Sequence, residues 1–342
     1  MYLETTWFVI WGVLWAIYFI LDGFDLGMGT LMPALAKTDT ERRMVLNSAG
    51  PFWDGNEVWL ITAGGVTFAA FPLTYAVMFS GLYSALLLLL FALIFRGVSF
   101  EFRSKLEDPG WRKIWDGIHS LCSFLPALLL GVAFANIFMG IPINADGINE
   151  GGLFDLLNIY GLMGGVLFVV MFAYHGAIWL GIKTEGVMHE RAVKAAKVAW
   201  PFFLGLTVLF LGLTYEFTNL FANYMEYPWL LVILVLAVVG FFLSRASLGA
   251  GNLWTAWAFN AVTIGCITMF GVLGMYPRLL PSSLNDEFSM TIMNSASTPL
   301  TLKIMLGVAL VFVPIVIIYQ SWAYKTFSYK VTEEELKSDE AY

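Results

Sequence analysis

The chain has 342 residues, of which 59% are hydrophobic and 13% charged, with a net charge of −7. A soluble domain carries about 25% charged residues, so the deficit excludes an ordinary globular protein and defines a polytopic α-helical membrane protein. The net charge names no partner, because in a membrane protein the position of the charges matters more than their sum.

The first apolar run, from Trp7 to Leu21, has no cationic segment before it and no small-residue cleavage site after it. It reads as a retained first span rather than a cleaved leader. Measured against the ~20 residues needed to cross a bilayer, the charge-free runs predict nine spans: 7–35, 54–71, 73–95, 116–140, 155–182, 198–221, 227–244, 252–275 and 301–324. The division at 71/72 rests on Phe71-Pro72, since the residue before a proline disfavours helix. Residues 1–331 form one transmembrane domain, divisible by counting into two four-helix groups and a ninth peripheral helix. Residues 332–342 form an acidic, polar tail without the apolar content to pack.

Basic residues set the expected orientation. Of the 18 lysines and arginines, only Arg278 and Lys303 fall on the side that holds the first residue. The rest lie in the alternate connections, from Lys37, Arg42 and Arg43 to the tail. The expectation is an external N-terminus and a cytoplasmic C-terminus.

Four carboxylates stand out because an ionisable group within a span costs roughly 2.5–3.5 kcal/mol on insertion scales and usually faces a bundle interior or a water path. Asp22 and Asp25 are three residues apart and share a helix face. Asp22 lies about 22 Å along the helix from Trp7 at ~1.5 Å per residue, towards the inner side. Gly23 and Gly27 give the same helix a small-residue face for close packing. Asp54 and Glu57 open the second span with the spacing of a capping box, in which Asp54 caps and Glu57 reaches back. Two readings stay open: a proton or cation route, or helix-end acids satisfied by Arg42 or Arg43.

Arg96, Glu101 and Arg103 read as interfacial anchors at the end of the third span, and Asp116 and His119 as interfacial residues at the start of the fourth. His175 lies inside a span but has no facing histidine, which weakens a haem-ligand reading; His189 falls in a polar loop. Cys122 and Cys266 sit in apolar runs and suggest neither a disulfide nor a metal motif. No phosphate-binding loop, C-x-x-C or serine–histidine–acid set is apparent. The residues alone therefore leave a transporter or an accessory subunit of a proton-using complex.

Certain segments narrow this choice. Asp22-Gly23-Phe24-Asp25-Leu26-Gly27, Thr40-Glu41-Arg42-Arg43, Trp53-Asp54-Gly55-Asn56-Glu57-Val58-Trp59-Leu60, Phe95-Arg96-Gly97 and Phe100-Glu101-Phe102-Arg103-Ser104-Lys105 resemble subunit II of the cytochrome bd-type quinol oxidases. The resemblance is dense from about residue 20 to 136 and weaker beyond. Position 57 is glutamate where some relatives have glutamine. The resemblance implies a bacterial cytoplasmic-membrane complex that oxidises quinol and reduces oxygen. Its subunit I carries two b haems, one d haem and the quinol site. Subunit II carries no haem, packs against subunit I and contributes a proton path, here with Asp22, Asp25, Asp54 and Glu57 as candidates. A small single-helix subunit and a structural quinone or lipid also belong to that picture. The rivals are a proton-coupled secondary transporter, which calls for paired interrupted helices not found here, and a purely structural partner.

Overall fold

A computed structural model describes residues 2–337 and Tyr342. Twelve α-helices run through the described residues, eight of them long and apolar enough to cross a membrane. They are α1 (Tyr2–Leu35), α2 (Asp39–Ala49), α3 (Trp53–Ala70), α4 (Pro72–Gly81), α5 (Tyr83–Phe102), α6 (Pro109–Met139), α7 (Ile159–Lys183), α8 (Gly186–Phe217), α9 (Leu220–Glu226), α10 (Leu231–Gly249), α11 (Leu253–Met275) and α12 (Pro299–Thr326). A two-stranded antiparallel ribbon, β1 (Arg278–Leu280) and β2 (Met290–Thr291), closes one end.

α1 is the central post. It packs against α3, α6, α7 and α11, while α5–α6, α7–α8 and α10–α11 form helical hairpins around it. Its contact with α7 is close because glycines face backbone. A Cβ on Gly27 would overlap the Phe172 carbonyl, and one on Gly176 would stand 2.5 Å from the Met28 nitrogen. The small-residue face of α1 therefore lets two helix backbones touch. An aromatic seam continues inward, with Phe24 stacked on Trp179 at 4.3 Å and Phe52 on Tyr324 at 4.5 Å.

Several boundaries differ from those expected. The span drawn over 73–95 is two helices. α4 covers ten residues, too short to cross, and Leu82 separates it from α5. Asn149 from the 140–158 loop stands against Gly81, donating to its carbonyl at 3.1 Å, so this loop wedges the joint. The spanning helix then begins at Tyr83 and runs past residue 95 to Phe102. α6 starts at Pro109 rather than 116. Asp108 caps it by accepting from Trp111 N at 2.6 Å, and proline takes the first-turn position that needs no donor. α8 starts at Gly186 rather than 198 and stops at Phe217, before the separate α9. These helices carry charged turns beyond their apolar runs, which counting uncharged residues cannot see. The segment over 54–71 matches α3, whose first turns hold Asp54, Asn56 and Glu57 and keep it out of the eight apolar spans.

α12 is peripheral; Leu302 is its one buried residue. Lys183, at the end of α7, fixes the segment beyond α12 by donating to the Phe327 and Tyr329 carbonyls. In the tail, Leu336 is buried, and Arg43 donates to its carbonyl at 2.8 Å.

Candidate functional site: a buried arginine among carboxylates

The helical period of α1 puts Tyr18, Asp22, Asp25 and Gly29 on one side, facing α5 and α6. α5 presents Arg96 and Ser99, with Arg103 just past its end continuing the spacing, and α6 presents Asp116, His119 and Ser123. Three polar levels form where these faces meet.

The deepest level is built on Arg96, which is completely buried. One terminal nitrogen lies 3.0 Å from Asp22 Oδ1 and 3.7 Å from Glu57 Oε2; the other lies 3.9 Å from Asp25 Oδ2. Asp22 and Asp25 are buried as well, and Glu57 is mostly so. Asn56 Nδ2 donates to Asp25 Oδ2 at 2.7 Å, and Tyr324 of α12 donates to Asn56 Oδ1 at 2.7 Å. A charge in a low-dielectric interior must be paired and hydrogen-bonded to be tolerated. Here three carboxylates surround one guanidinium. Both Asp22 oxygens, Asp25 Oδ1, all three Arg96 nitrogens and the Tyr18 hydroxyl have no well-aligned hydrogen bond to protein. Their hydrogen-bonding capacity exceeds what these protein atoms supply.

The middle level is Ser99, His119 and Ser123. Ser99 Oγ lies 2.8 Å from His119 Nδ1, and Ser123 Oγ donates to the His119 carbonyl at 2.7 Å. The third level lies at the end of the bundle where α2 begins. Buried Arg103 donates to Asp116 Oδ1 at 2.6 Å and to Asp39 Oδ1 at 2.7 Å, while Arg112 reaches Asp39 Oδ2 at 3.0 Å. Partial burial works against the Asp39 carboxylate, but the hydrogen bond and charge of Arg103, joined by Arg112 and Arg43, outweigh it and hold Asp39 below the ordinary carboxylate range. Asp39 therefore stays ionised through neutral pH.

The structure brings Asp22, Asp25 and Glu57 together and leaves Asp54 outside. Asp54 is exposed in the first turn of α3, whose cap position is Phe52 with no side-chain cap bond, so the expected capping box is absent. Glu57 turns to Arg96 instead. Arg42 and Arg43 do not satisfy the α1 acids: Arg42 lies 3.7 Å from Asp116, and Arg43 binds the tail. Arg96 and Arg103 are buried ion-pair centres rather than interfacial anchors, Asp116 and His119 are buried rather than interfacial, and Glu101 is exposed. His189 lies in the first turns of α8 rather than in a loop and meets the Gly181 carbonyl at 2.7 Å. Asn56, Tyr324 and Ser99 were missed. The spacing 96, 99, 103, opposed by 116, 119, 123 on the next helix, is the signal that finds Ser99; no local pattern points to Asn56 or Tyr324.

His175 offers no free ring nitrogen to a haem iron. His175 Nε2 donates to the Ile20 carbonyl at 3.0 Å, Nδ1 accepts from Asn260 at 2.9 Å, and the ring stacks on Trp257. Both nitrogens are engaged within a packed core. Among the described residues no group of three or more His, Cys, Asp or Glu could hold a metal ion. His175→Ala is expected to cost about 2–4 kcal/mol through a cavity and a stranded amide. A thermal melt of the solubilised protein would read this as a lower midpoint, and a haem spectrum of any assembled complex should be unchanged.

A separate apolar cleft of about 820 Å³ lies between α1, α3, α4, α5 and α6, lined by residues that include Trp15, Phe68, Tyr75, Leu86 and Leu130. Its walls suit a hydrocarbon chain.

Eight apolar helices with a buried ionic ladder between α1, α5 and α6 define a polytopic membrane protein. The family described as cytochrome bd terminal oxidase subunit II matches residues 3–327, and the chain belongs to it. Subunit 2 of the cytochrome bd-I ubiquinol oxidase of Escherichia coli K12 is 37% identical, over 98% of this chain and 97% of the relative. The cytochrome bd ubiquinol oxidase subunit 2 of Bacillus subtilis is 35% identical, over 97% and 98%. A chain in the structure of bd oxidase from Geobacillus thermodenitrificans has the same fold, with a TM-score of 0.76 at 20% identity, covering 96% of this chain and 99% of that one. The protein is thus a multi-pass component of a bacterial respiratory oxidase in the cytoplasmic membrane, and the transporter reading is set aside.

Proposed function

We propose that this chain supports a haem-bearing subunit I and delivers protons to it from the cytoplasmic side while the complex oxidises quinol and reduces oxygen. The observation that carries this reading is the cluster of Asp22, Asp25 and Glu57 around buried Arg96, with more hydrogen-bonding groups than protein partners. Oxygen reduction consumes protons, and a proton crosses a low-dielectric protein along titratable groups bridged by water. Carboxylates that accept and release protons supply the hops. Arg96 keeps the set from being wholly neutralised.

Protons enter where Asp39, Asp116 and exposed Asp54 lie, and leave through the Arg96 level towards the partner. Counting α3 as a crossing helix gives nine spans, and the distribution of basic residues supports an external N-terminus and a cytoplasmic C-terminus. The haems, two b and one d, belong to subunit I in this reading, in keeping with the engagement of both ring nitrogens of His175. The apolar cleft suits a structural quinone or lipid, and a small single-helix subunit completes the assembly.

A tag on this chain tests the assignment. The complex isolated through it should show b- and d-type haem absorption from a co-isolated larger subunit and quinol-dependent oxygen consumption. Isolation without a haem-bearing partner under conditions that preserve membrane complexes would refute it.

A further inference from the structure

From Ile304 to Ile318, α12 carries no polar side chain. Gln320 and Tyr324 follow, four residues apart and so on one helix face, and both meet the first turns of α3. Gln320 Oε1 accepts from Trp59 Nε1 at 3.0 Å, and its Nε2 donates to the Gly55 carbonyl at 2.8 Å. Tyr324 stacks on Phe52 at 4.5 Å, and its hydroxyl lies 2.7 Å from Asn56 Oδ1. The donors of this chain run in one direction. Asn56 is completely buried. One terminal atom of its amide lies 3.3 Å from the Leu21 carbonyl, which can only accept, and 2.7 Å from Asp25 Oδ2. That atom is therefore the nitrogen, and the atom facing Tyr324 is the oxygen, which takes the one proton of the phenol. Asp25 Oδ2 is thereby held as an acceptor. Asp25 Oδ1 has no hydrogen-bonding partner among the described residues, so a proton taken up by this carboxylate goes to Oδ1.

We propose that Tyr324 is a positioning residue of the proton path: it fixes the Asn56 amide with its nitrogen towards Asp25, so that Asp25 exchanges protons through Oδ1. This rests on the proton-delivery reading above and adds that the outermost helix sets the behaviour of the cluster through the first turn of α3. The exchanged proton binds to and leaves Oδ1, while Asn56 and Tyr324 keep their own protons throughout. The phenol also polarises the amide and makes its N–H a stronger donor to Asp25 Oδ2. The titratable and charged groups around Asp25 are Asp22 from its own helix, Glu57 from α3, Arg96 from α5 and Tyr324 from α12. His119 of α6 and His175 of α7 meet α1 at Gly29 and at the Ile20 carbonyl instead.

The test uses the whole complex. Tyr324→Phe keeps the ring on Phe52 and removes only the hydroxyl. The Asn56 amide then loses its polarising donor and can turn its oxygen to Asp25, an arrangement that suits only the protonated acid. In assembled complexes with full haem content, the pH dependence of oxygen consumption should move up by about one unit. That is the roughly tenfold change in proton affinity expected when a hydrogen bond to a carboxylate is lost. Gln320→Leu breaks the other polar contact between α12 and α3 and should leave the profile in place. In an Asp25→Asn background, Tyr324→Phe should add no shift, because its effect acts through that carboxylate. An unmoved profile in assembled Tyr324→Phe overturns the proposal, as does an equal shift in Gln320→Leu or in the Asp25→Asn background. If Tyr324→Phe does not assemble, Asn56→Leu carries the test by removing the donor to Asp25; it should show the same upward shift, and an unmoved profile overturns the proposal. Failure of both to assemble makes the contact a structural latch and overturns it too. A slow Asp25→Asn with an unmoved Tyr324→Phe removes this inference alone, whereas normal rates in both remove the proton-delivery reading itself.

Discussion

Arg96→Met should abolish accumulation of the assembled complex. The substitution keeps an unbranched chain of similar length but leaves Asp22, Asp25 and Glu57 facing one another in a buried site without a counter-charge. Removing one partner of a buried ion pair costs about 3–5 kcal/mol, a large share of a total stability of about 5–15 kcal/mol. Arg96→Lys should restore assembly only in part, since a single ammonium cannot span three carboxylates 3.0, 3.7 and 3.9 Å from two guanidinium nitrogens. Adding Asp22→Asn to Arg96→Met should recover some complex by removing one uncompensated charge. Quantitative blotting of membranes and haem content of the solubilised complex report all three. Arg96→Met protein at wild-type abundance with an unshifted melting midpoint would mean that the cluster is not held by this arginine.

Asp25→Asn should assemble and turn over at least about tenfold more slowly, towards the lower end of what a positioned proton-transfer group contributes. The amide keeps the shape, and its oxygen still accepts the 2.7 Å hydrogen bond from Asn56. What is lost is a group that can take and release a proton. In the proposed route Asp22 and Glu57 keep part of the path, so the loss should not be complete. Oxygen consumption with saturating quinol, normalised to haem, is the measurement. Unaltered turnover in an assembled variant would assign these acids to anchoring and favour a purely structural subunit.

The acids of α1 were legible before the structure because a charge in an apolar run is conspicuous and a spacing of three fixes a common face. Their partner was not. Arg96 followed the last residue of a span drawn over 73–95, which made it an interfacial anchor. The one-residue interruption at Leu82, wedged by Asn149, starts the helix at Tyr83 and sets Arg96 well inside it. The same slip displaced Asp116 and His119: α6 begins at Pro109, so both lie two or more turns in. Local composition marks where apolar runs stop, but helices continue through charged turns when another helix supplies the counter-charges. Which of Asp54 and Glu57 turns inward is decided by the packing of α3 on α1, and their spacing alone is silent on it. Asn56 and Tyr324 come together across 268 residues of sequence, a distance no local pattern can bridge.

That last contact bears on how the molecule is made. Tyr324 belongs to the most weakly embedded helix, yet its hydroxyl satisfies Asn56, which in turn holds Asp25. A ribosome delivers α1 and α3 early and α12 near the end. Until that helix arrives, Asn56 Oδ1 lacks its donor, and the hydrogen-bond chain to Asp25 remains unfinished. The order of synthesis thus makes the Arg96 cluster a late-closing joint, sealed by the helix with the least apolar contact to keep it there.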